Sequence, residues 1–296
     1  MNRIIKVCTC LTCLATACAQ GQEPVHEARW EFDDLAGWVD DSQNNSPQNY
    51  RIEAGKLRMW TRAQTRDRVK VRSTERFSAG WYGWRVFVPR MGRGDQASMG
   101  AFLYRDDKHE LDFEIGYGTA KLRKALGATS DDLVCYCTSQ GHPYSSTQVL
   151  VKSGRWHSLA LELAPGPDKR FLARWLINGA LIKELQTSMT QDISFTIHCS
   201  VENLTFIGDH IPQQQNHALF DYVSFGSPSV VSWTAEEVSG QGTIVRYDER
   251  MNELIALDAE IEVLASGFDW SEGPLWIEHG DYLLFSDIPR NSVMKW

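Results

Sequence analysis

An antiparallel all-β sandwich is the fold class this sequence predicts, and three observations predict it. Short runs of alternating apolar and polar residues recur along the first 226 positions, with turn residues between them. Two of those runs are joined by Asn178-Gly179, the strongest short hairpin signal. No convincing amphipathic helix interrupts the series before Phe225. At 296 residues the chain has room for one large or two modest domains and a substantial core. A net charge of -8 argues against a nucleic-acid partner, whose phosphates want a basic patch. No apolar run approaches the ~20 residues of a membrane-spanning helix.

Residues 1–19 read as an export signal. Arg3 and Lys6 form a short basic region before the apolar, small-residue stretch Val7 to Ala17. Ala15-Thr16-Ala17 and Ala17-Cys18-Ala19 both fit a cleavage site. Leu14-Ala15-Thr16-Ala17-Cys18 is an imperfect bacterial lipobox, its leucine one position too far upstream. Two outcomes stay open: simple secretion, or a lipid on Cys18 that tethers the protein to a membrane surface.

The strand-like runs then follow in order. Ala28 to Phe32 alternates. Tyr50 to Trp60 folds about a turn at Ala54-Gly55, after a polar loop from Asp40 to Gln48. Val69 to Thr74 alternates again, and Gly80 to Pro89 is the next strong strand, ending in a glycine-rich loop from Met91 to Gln96. Ala101 to Tyr104 turns at Asp106-Asp107 into His109-Glu110-Leu111-Asp112-Phe113-Glu114-Ile115-Gly116. On a strand, Glu110, Asp112 and Glu114 share one face and Leu111, Phe113 and Ile115 the other. The apolar face asks for a core. The acidic face is either a solvated surface or a site that uses carboxylates. Arg155 to Leu163, the hairpin from Arg174 to Ile182, Asp192 to His198 and Ala218 to Phe225 close the set. Eleven tryptophans suggest a surface that stacks on flat ligands such as sugars, although most large aromatics belong to cores.

Four of the seven cysteines fall in the export segment, leaving Cys135, Cys137 and Cys199. Either of the first two could pair with Cys199 in an oxidising compartment. No CxxC pair suggests zinc, and His109, His157 and His198 are not spaced as metal ligands.

The order of these pieces resembles glycoside hydrolase family 16, the laminarinase and lichenase type, over residues 28–226. Glu110 to Glu114 fits that family's E-x-D-x-E strand, and Gly80 to Val86 resembles the strand before it. Trp156-His157 with Arg174 to Gly179 resembles the segment ending in a D/N-G hairpin, and Phe220 to Val223 the closing strand. The resemblance implies a concanavalin-like jelly-roll sandwich with a concave, sugar-binding face and no cofactor. It also implies retaining hydrolysis of a β-linked polysaccharide. Glu110 would be the nucleophile, Glu114 the general acid and base, and Asp112 the group between them that orients and tunes Glu110. Retaining enzymes hold two carboxyls ~5–5.5 Å apart, so glutamates ~13 Å apart along the backbone must lean inward. The family's W-P-A-x-W segment is here Ser98 to Tyr104, where Met99 and Leu103 replace two tryptophans. Trp81, Trp84, Tyr104, Tyr117 and Trp175 are the candidates to supply stacking instead, and each also has a core reading. A carbohydrate-binding sandwich without catalysis, or a structural surface module, remains the alternative.

After Phe225 the pattern changes. A polar linker spans 227–241, and a new β pattern begins near Thr243. Glu272-Gly273-Pro274-Leu275-Trp276, Leu284-Phe285-Ser286-Asp287-Ile288-Pro289 and the closing Trp296 resemble the opening of the gluconolactonase and regucalcin family of six-bladed β-propellers. Residues 242–296 would be an incomplete first blade. Glu272 falls on that family's divalent-metal ligand, and a carboxylate suits calcium or a similar cation. The later-blade ligands are not in this sequence, so the expectation is a fragment of a longer protein with no complete lactonase site.

Overall fold

The computed structural model describes residues 27–141, 144–226, 268, 271–280 and 282–296. The export segment, the linker and the β pattern near Thr243 lie outside these. The described residues fall into two units, one within His26–Trp233 and the other within Thr234–Trp296.

The larger unit is a jelly-roll sandwich of two antiparallel sheets. One sheet runs from edge to edge as Ser145–Lys152 (β10), Asp132–Ser139 (β9), His109–Gly116 (β8), Ala97–Asp106 (β7), Thr196–Asn203 (β14), Arg68–Ser73 (β5) and Trp38–Asp40 (β2). The other runs as Ala180–Thr190 (β13), Arg170–Ile177 (β12), Arg155–Pro165 (β11), Gly80–Val88 (β6), Asn216–Gly226 (β15), Lys56–Thr61 (β4) and Tyr50–Glu53 (β3). Ala28–Trp30 (β1) is added beside β15. The acidic strand β8 is therefore an interior strand, flanked by β7 and β9.

Alternation decides what each strand buries. Leu111, Phe113 and Ile115 of β8 are fully buried against the other sheet's Tyr82, Trp84, Leu161 and Trp175. Each such side chain contributes roughly 1.5–3 kcal/mol by leaving water. The predicted Asn178-Gly179 hairpin joins β12 to β13, with φ of 49° and 81° at the two residues, the left-handed pair a tight hairpin needs. Asn178 Oδ1 also accepts from the Ser158 amide (3.0 Å), tying the turn to β11.

Three expectations are corrected. A helix does occur before Phe225: Ala120–Leu126 (α1), capped by Thr119 Oγ1, which accepts from the Leu122 amide (3.3 Å), and closed by Gly127 at φ 68°. Seven residues are too few to show a helical period. The polar loop read from Asp40 starts within a short strand, β2, whose Trp38 is buried. Finally, Cys135, Cys137 and Cys199 are free thiols buried in the core. Cys199 lies on β14, three strands from β9, or roughly 14 Å at the usual strand spacing, beyond the reach of a disulfide.

The smaller unit is an antiparallel meander of Ser271–Ile277 (β16), Tyr282–Asp287 (β17) and Ser292–Lys295 (β18). The register slips between Glu272 and Leu275, where Gly273 takes φ 64°. Leu275, Trp276, Val293 and Trp296 are exposed.

Candidate active site

The outer face of the seven-stranded sheet carries the carboxylates. In register, Tyr104, Phe102 and Gly100 of β7 lie opposite Glu110, Asp112 and Glu114. Beyond them, His198 and Ser200 of β14 continue the Phe102 and Gly100 rows, and Lys70 of β5 continues the row through Ser200. On the other side, Thr138 and Tyr136 of β9 lie opposite Asp112 and Glu114. Thus sheet register alone sets acids between a charged flank and an uncharged one.

A cavity of about 190 Å³ opens over the charged flank, lined by Glu110, Asp112, Glu114, Glu202, Lys70 and Arg68, with Tyr104, His198 and Phe206 around them. A second, of about 540 Å³, opens over the uncharged flank. Tyr136, Tyr144, Phe206, Thr138, Gln140 and Gln148 line it, and it shares Asp112, Gln140 and Phe206 with the first. Tyr136 meets Phe206 edge-on, ring centroids 5.9 Å apart.

Each carboxyl has its own surroundings. Glu114 is buried and accepts a hydrogen bond from the Ser98 hydroxyl. Burial, then the charges of Glu202 and Asp112, push its carboxyl well above the usual range, against that bond. Asp112 is buried, with Oδ2 accepting from Gln140 Nε2 (3.4 Å) and Oδ1 without a partner. Burial and then Glu110 raise it well above its ordinary value. Glu110 is half-buried; burial and Glu202 raise it to about 7, while Lys70 and Arg68 pull the other way. Glu202 itself is buried and ion-paired with Arg68. Three buried polar atoms on this face lack a hydrogen-bond partner among the described residues: Asp112 Oδ1, His198 Nδ1 and Ser200 Oγ. Asp112 and His198 also line the first cavity.

Gly100 makes room for this arrangement. A Cβ there would lie 2.4 Å from Ser200 Oγ and 2.9 Å from Glu114 Oε1. Gly116 does the same at the strand's end, where a Cβ would lie 2.1 Å from Ile207 Cγ2. That close approach seats the loop carrying Leu204 and Phe206 beside the acids.

Comparison with solved structures places the unit. The catalytic domain of an endo-1,3-beta-glucanase (laminarinase) from Thermotoga petrophila superposes with a TM-score of 0.51 at 17% identity, covering 70% of this chain and 100% of that one. The sandwich has the fold of that domain. LamAcat from Zobellia galactanivorans gives 0.50 at 14% identity, over 69% and 98%. Crh5 transglycosylase in complex with NAG gives 0.51 at 12%, over 68% and 84%. No family model matches the chain. A gluconolactonase from Zymomonas mobilis is 44% identical over 55 residues, 19% of this chain and 15% of that protein. The chain therefore spans about 15% of that relative's length.

Of the stacking candidates, Tyr104 alone reaches the acids. Trp84 and Trp175 are core residues, 1% and 0% exposed. Their indole N–H groups cross to the other sheet, Trp84 donating to the His198 carbonyl (3.1 Å) and Trp175 to the Asp112 carbonyl (3.0 Å). Trp81 alternates with the core residues Tyr82 and Trp84 on β6, so it faces outward from the wrong sheet. Tyr117 has the inward parity of Ile115, packs against the core and stacks on Arg123, 3.8 Å from guanidinium carbon to ring centroid. The aromatics at the cavities, Tyr136, Tyr144, Phe102 and Phe206, escaped the sequence reading. Tyr136 could have been found by counting parity from Cys135 and Cys137; Phe206 sits in a loop and carries no such signal. His109 and His157 are structural, bonded to Asp106 and to the Lys152 carbonyl. Glu272 is exposed on β16 opposite Ser286. Among the described residues no three His, Cys, Asp or Glu side chains converge on a cation.

Proposed function

We propose that the sandwich cleaves a β-linked polysaccharide with retention of anomeric configuration. One observation carries this: Glu110 and Glu114 share a face of one strand and line one cavity, yet differ in environment. Glu110, the less buried, has cations near it and ionises near neutrality; Glu114 is buried, bonded to Ser98 and holds its proton. Environments that separate two carboxyls in this way assign base and acid. Glu110 would attack the anomeric carbon while Glu114 gives its proton to the departing oxygen. Glu114, now a carboxylate, would take a proton from the water that opens the glycosyl ester and frees Glu110. Asp112, between them, would donate a hydrogen bond toward Glu110 in its protonated form. The second cavity, aromatic with amide and hydroxyl groups and few charges, suits an uncharged sugar ring.

The test is hydrolysis of laminarin, lichenan and agarose by the purified chain, with the anomer of the product read by proton NMR. Glu114→Gln should lower the rate by about 10²–10⁴-fold, the usual share of a general acid, and Glu110→Gln should stop turnover. Glycan binding without hydrolysis by the wild type would replace this reading with a binding module. The short match to a gluconolactonase supports reading the smaller unit as part of a propeller blade of that type. Residues 1–19 would export the protein to the periplasm or beyond, with Cys18 as the point of lipid attachment if it is anchored.

A further inference from the structure

Lys70 is a buried cation to which the hydrolysis gives no task. It is 5% exposed and lines the acid cavity, and among the described residues its ammonium has no hydrogen-bond or ion-pair partner. A charge taken this far from water is costly unless it meets an opposite charge. Register sets its place. Lys70 stands opposite Ser200 of β14, whose row runs on through Gly100 to Glu114. That puts it three strands from β8, roughly 14 Å across the sheet. Arg68 and Arg72 flank it at alternate positions of β5, while Val69 and Val71 between them face the core, so three cations share the outward face of one strand. His198, opposite Arg72, is held in place: Thr196 Oγ1 meets its Nε2 (2.8 Å) and Phe102 stacks on its ring, centroids 4.5 Å apart. Burial, then Lys70, Arg72 and Arg76, keep its imidazole well below the ordinary value and so neutral. The acids beside this flank are already answered. Glu202 is ion-paired with Arg68, and Asp41 stands 3.5 Å from Arg72 Nε and 3.7 Å from His198 Nδ1. Asp112 and Glu114 hold their protons, and Asp107 accepts from the Tyr104 hydroxyl (2.8 Å) out at the turn. Glu110 is the carboxylate that remains. Its row crosses β14 at Thr196, four residues from Ser200, or roughly 13 Å along the strand.

We propose that the β5 flank of the acid cavity, with Lys70 at its centre, is a seat for an anionic substituent of the glycan, a sulfate ester or a uronate carboxylate, carried a few sugar rings from the bond that is cut. This rests on the hydrolytic reading above. A neutral hydroxyl would take one hydrogen bond from the ammonium and leave its charge unanswered; a sulfate or carboxylate oxygen takes the bond and answers the charge. Arg72, two residues along the same face and only partly buried, adds a longer-range attraction that salt weakens. The second cavity, on the other side of the acids, has Asp112 as its one ionisable carboxyl and no cation in its lining. The two flanks thus make different demands, and the substituent belongs on one side of the scissile bond.

The experiment compares laminarin, lichenan and agarose, each with its own sulfated and carboxymethylated form, by affinity electrophoresis of wild type, Lys70→Met and Lys70→Arg. On at least one backbone the wild type should bind an anionic form about tenfold more tightly than the neutral one, the scale of one hydrogen bond to a charged group, and the margin should shrink as salt is raised. A margin for the sulfated or for the carboxymethylated form supports the proposal and tells which substituent is taken. Lys70→Met should lose the margin, its affinity for the neutral polymer changing less, and Lys70→Arg should keep it. A wild type with no preference for any anionic form overturns the proposal. So does a folded Lys70→Met protein that keeps the preference, or one that binds both forms more weakly by the same factor, which would make Lys70 a partner for a neutral hydroxyl. Lys70→Gln serves if the methionine variant does not fold. Should the wild type cleave none of these polymers and yet prefer an anionic form through Lys70, the seat stands and the hydrolytic reading falls.

Discussion

At Gly100 the absence of a side chain is what the site is built on. The residue lies directly opposite Glu114 in the ladder, and the space a methyl would take is filled by Ser200 Oγ and Glu114 Oε1. Both are side-chain ends, so Gly100→Ala can be accommodated by swinging them aside rather than by moving backbone. The cost to stability should sit at the low end of overpacking, about 1 kcal/mol. The cost to chemistry should be larger, because a displacement of about 1 Å in a reacting group can lower a rate by about 10²-fold. Rates on the preferred glucan, set beside thermal midpoints, would check this. An alanine variant with wild-type turnover would show that the Glu114 carboxyl does not need this position.

The strand that carries the acids is fixed from behind. Trp175 on β12 reaches through the core and its indole donates to the Asp112 carbonyl, the backbone group directly behind an outward-facing carboxyl. Trp175→Phe keeps most of the packing and leaves that carbonyl short of a donor. It should destabilise the sandwich by about 1–3 kcal/mol and leave glycan affinity little changed. Loss of glycan binding at unchanged stability would return Trp175 to the sugar platform. This residue also shows where legibility ended. Alternation told which side chains along a strand share a face, so β8 was read correctly with its two faces and the hairpins at Ala54-Gly55 and Asn178-Gly179 were found. Alternation does not tell which sheet a strand joins, and that decides whether an aromatic meets the acids, the core or the far surface. Trp81, Trp84 and Trp175 all lie on strands of the other sheet. Lys70 and Glu202 were invisible for the same reason: they stand 132 positions apart, and the register of β5 on β14 alone brings both to one cavity.

For the whole sandwich, gathering acids on one partly buried face has a consequence for stability. Glu110 is held at about 7, and Asp112 and Glu114 well above their ordinary values, so the fold binds protons that the unfolded chain releases. Groups raised in this direction contribute stability that is full below their unfolded values and is lost as pH rises through the folded ones. For Glu110 the window runs from about 4.5 to 7 and is worth on the order of 3 kcal/mol. For the other two the loss extends to higher pH. Asp132 works oppositely: burial opposes its ionisation, yet hydrogen bonds from Lys152 and Thr129 bring it to about 2, so its contribution is present above about 4 and disappears toward pH 2. Among the acids the two trends cross on the acidic side of neutrality, but burial lowers His198, His157 and His217, which add stability as pH rises to about 6.5; the thermal midpoint of the sandwich should therefore fall only beyond neutrality, toward pH 9. Asp112→Asn and Glu114→Gln remove the groups responsible, so each should raise the midpoint at pH 8 while changing it little at pH 4, at the expense of turnover. A wild-type midpoint that is flat from pH 5 to pH 9, or an Asp112→Asn protein less stable than wild type at pH 8, would show that these carboxyls are better solvated than their burial implies. A rise at alkaline pH paired with lost hydrolysis would instead mark the acidic face as a place where the fold gives up stability to keep a proton ready.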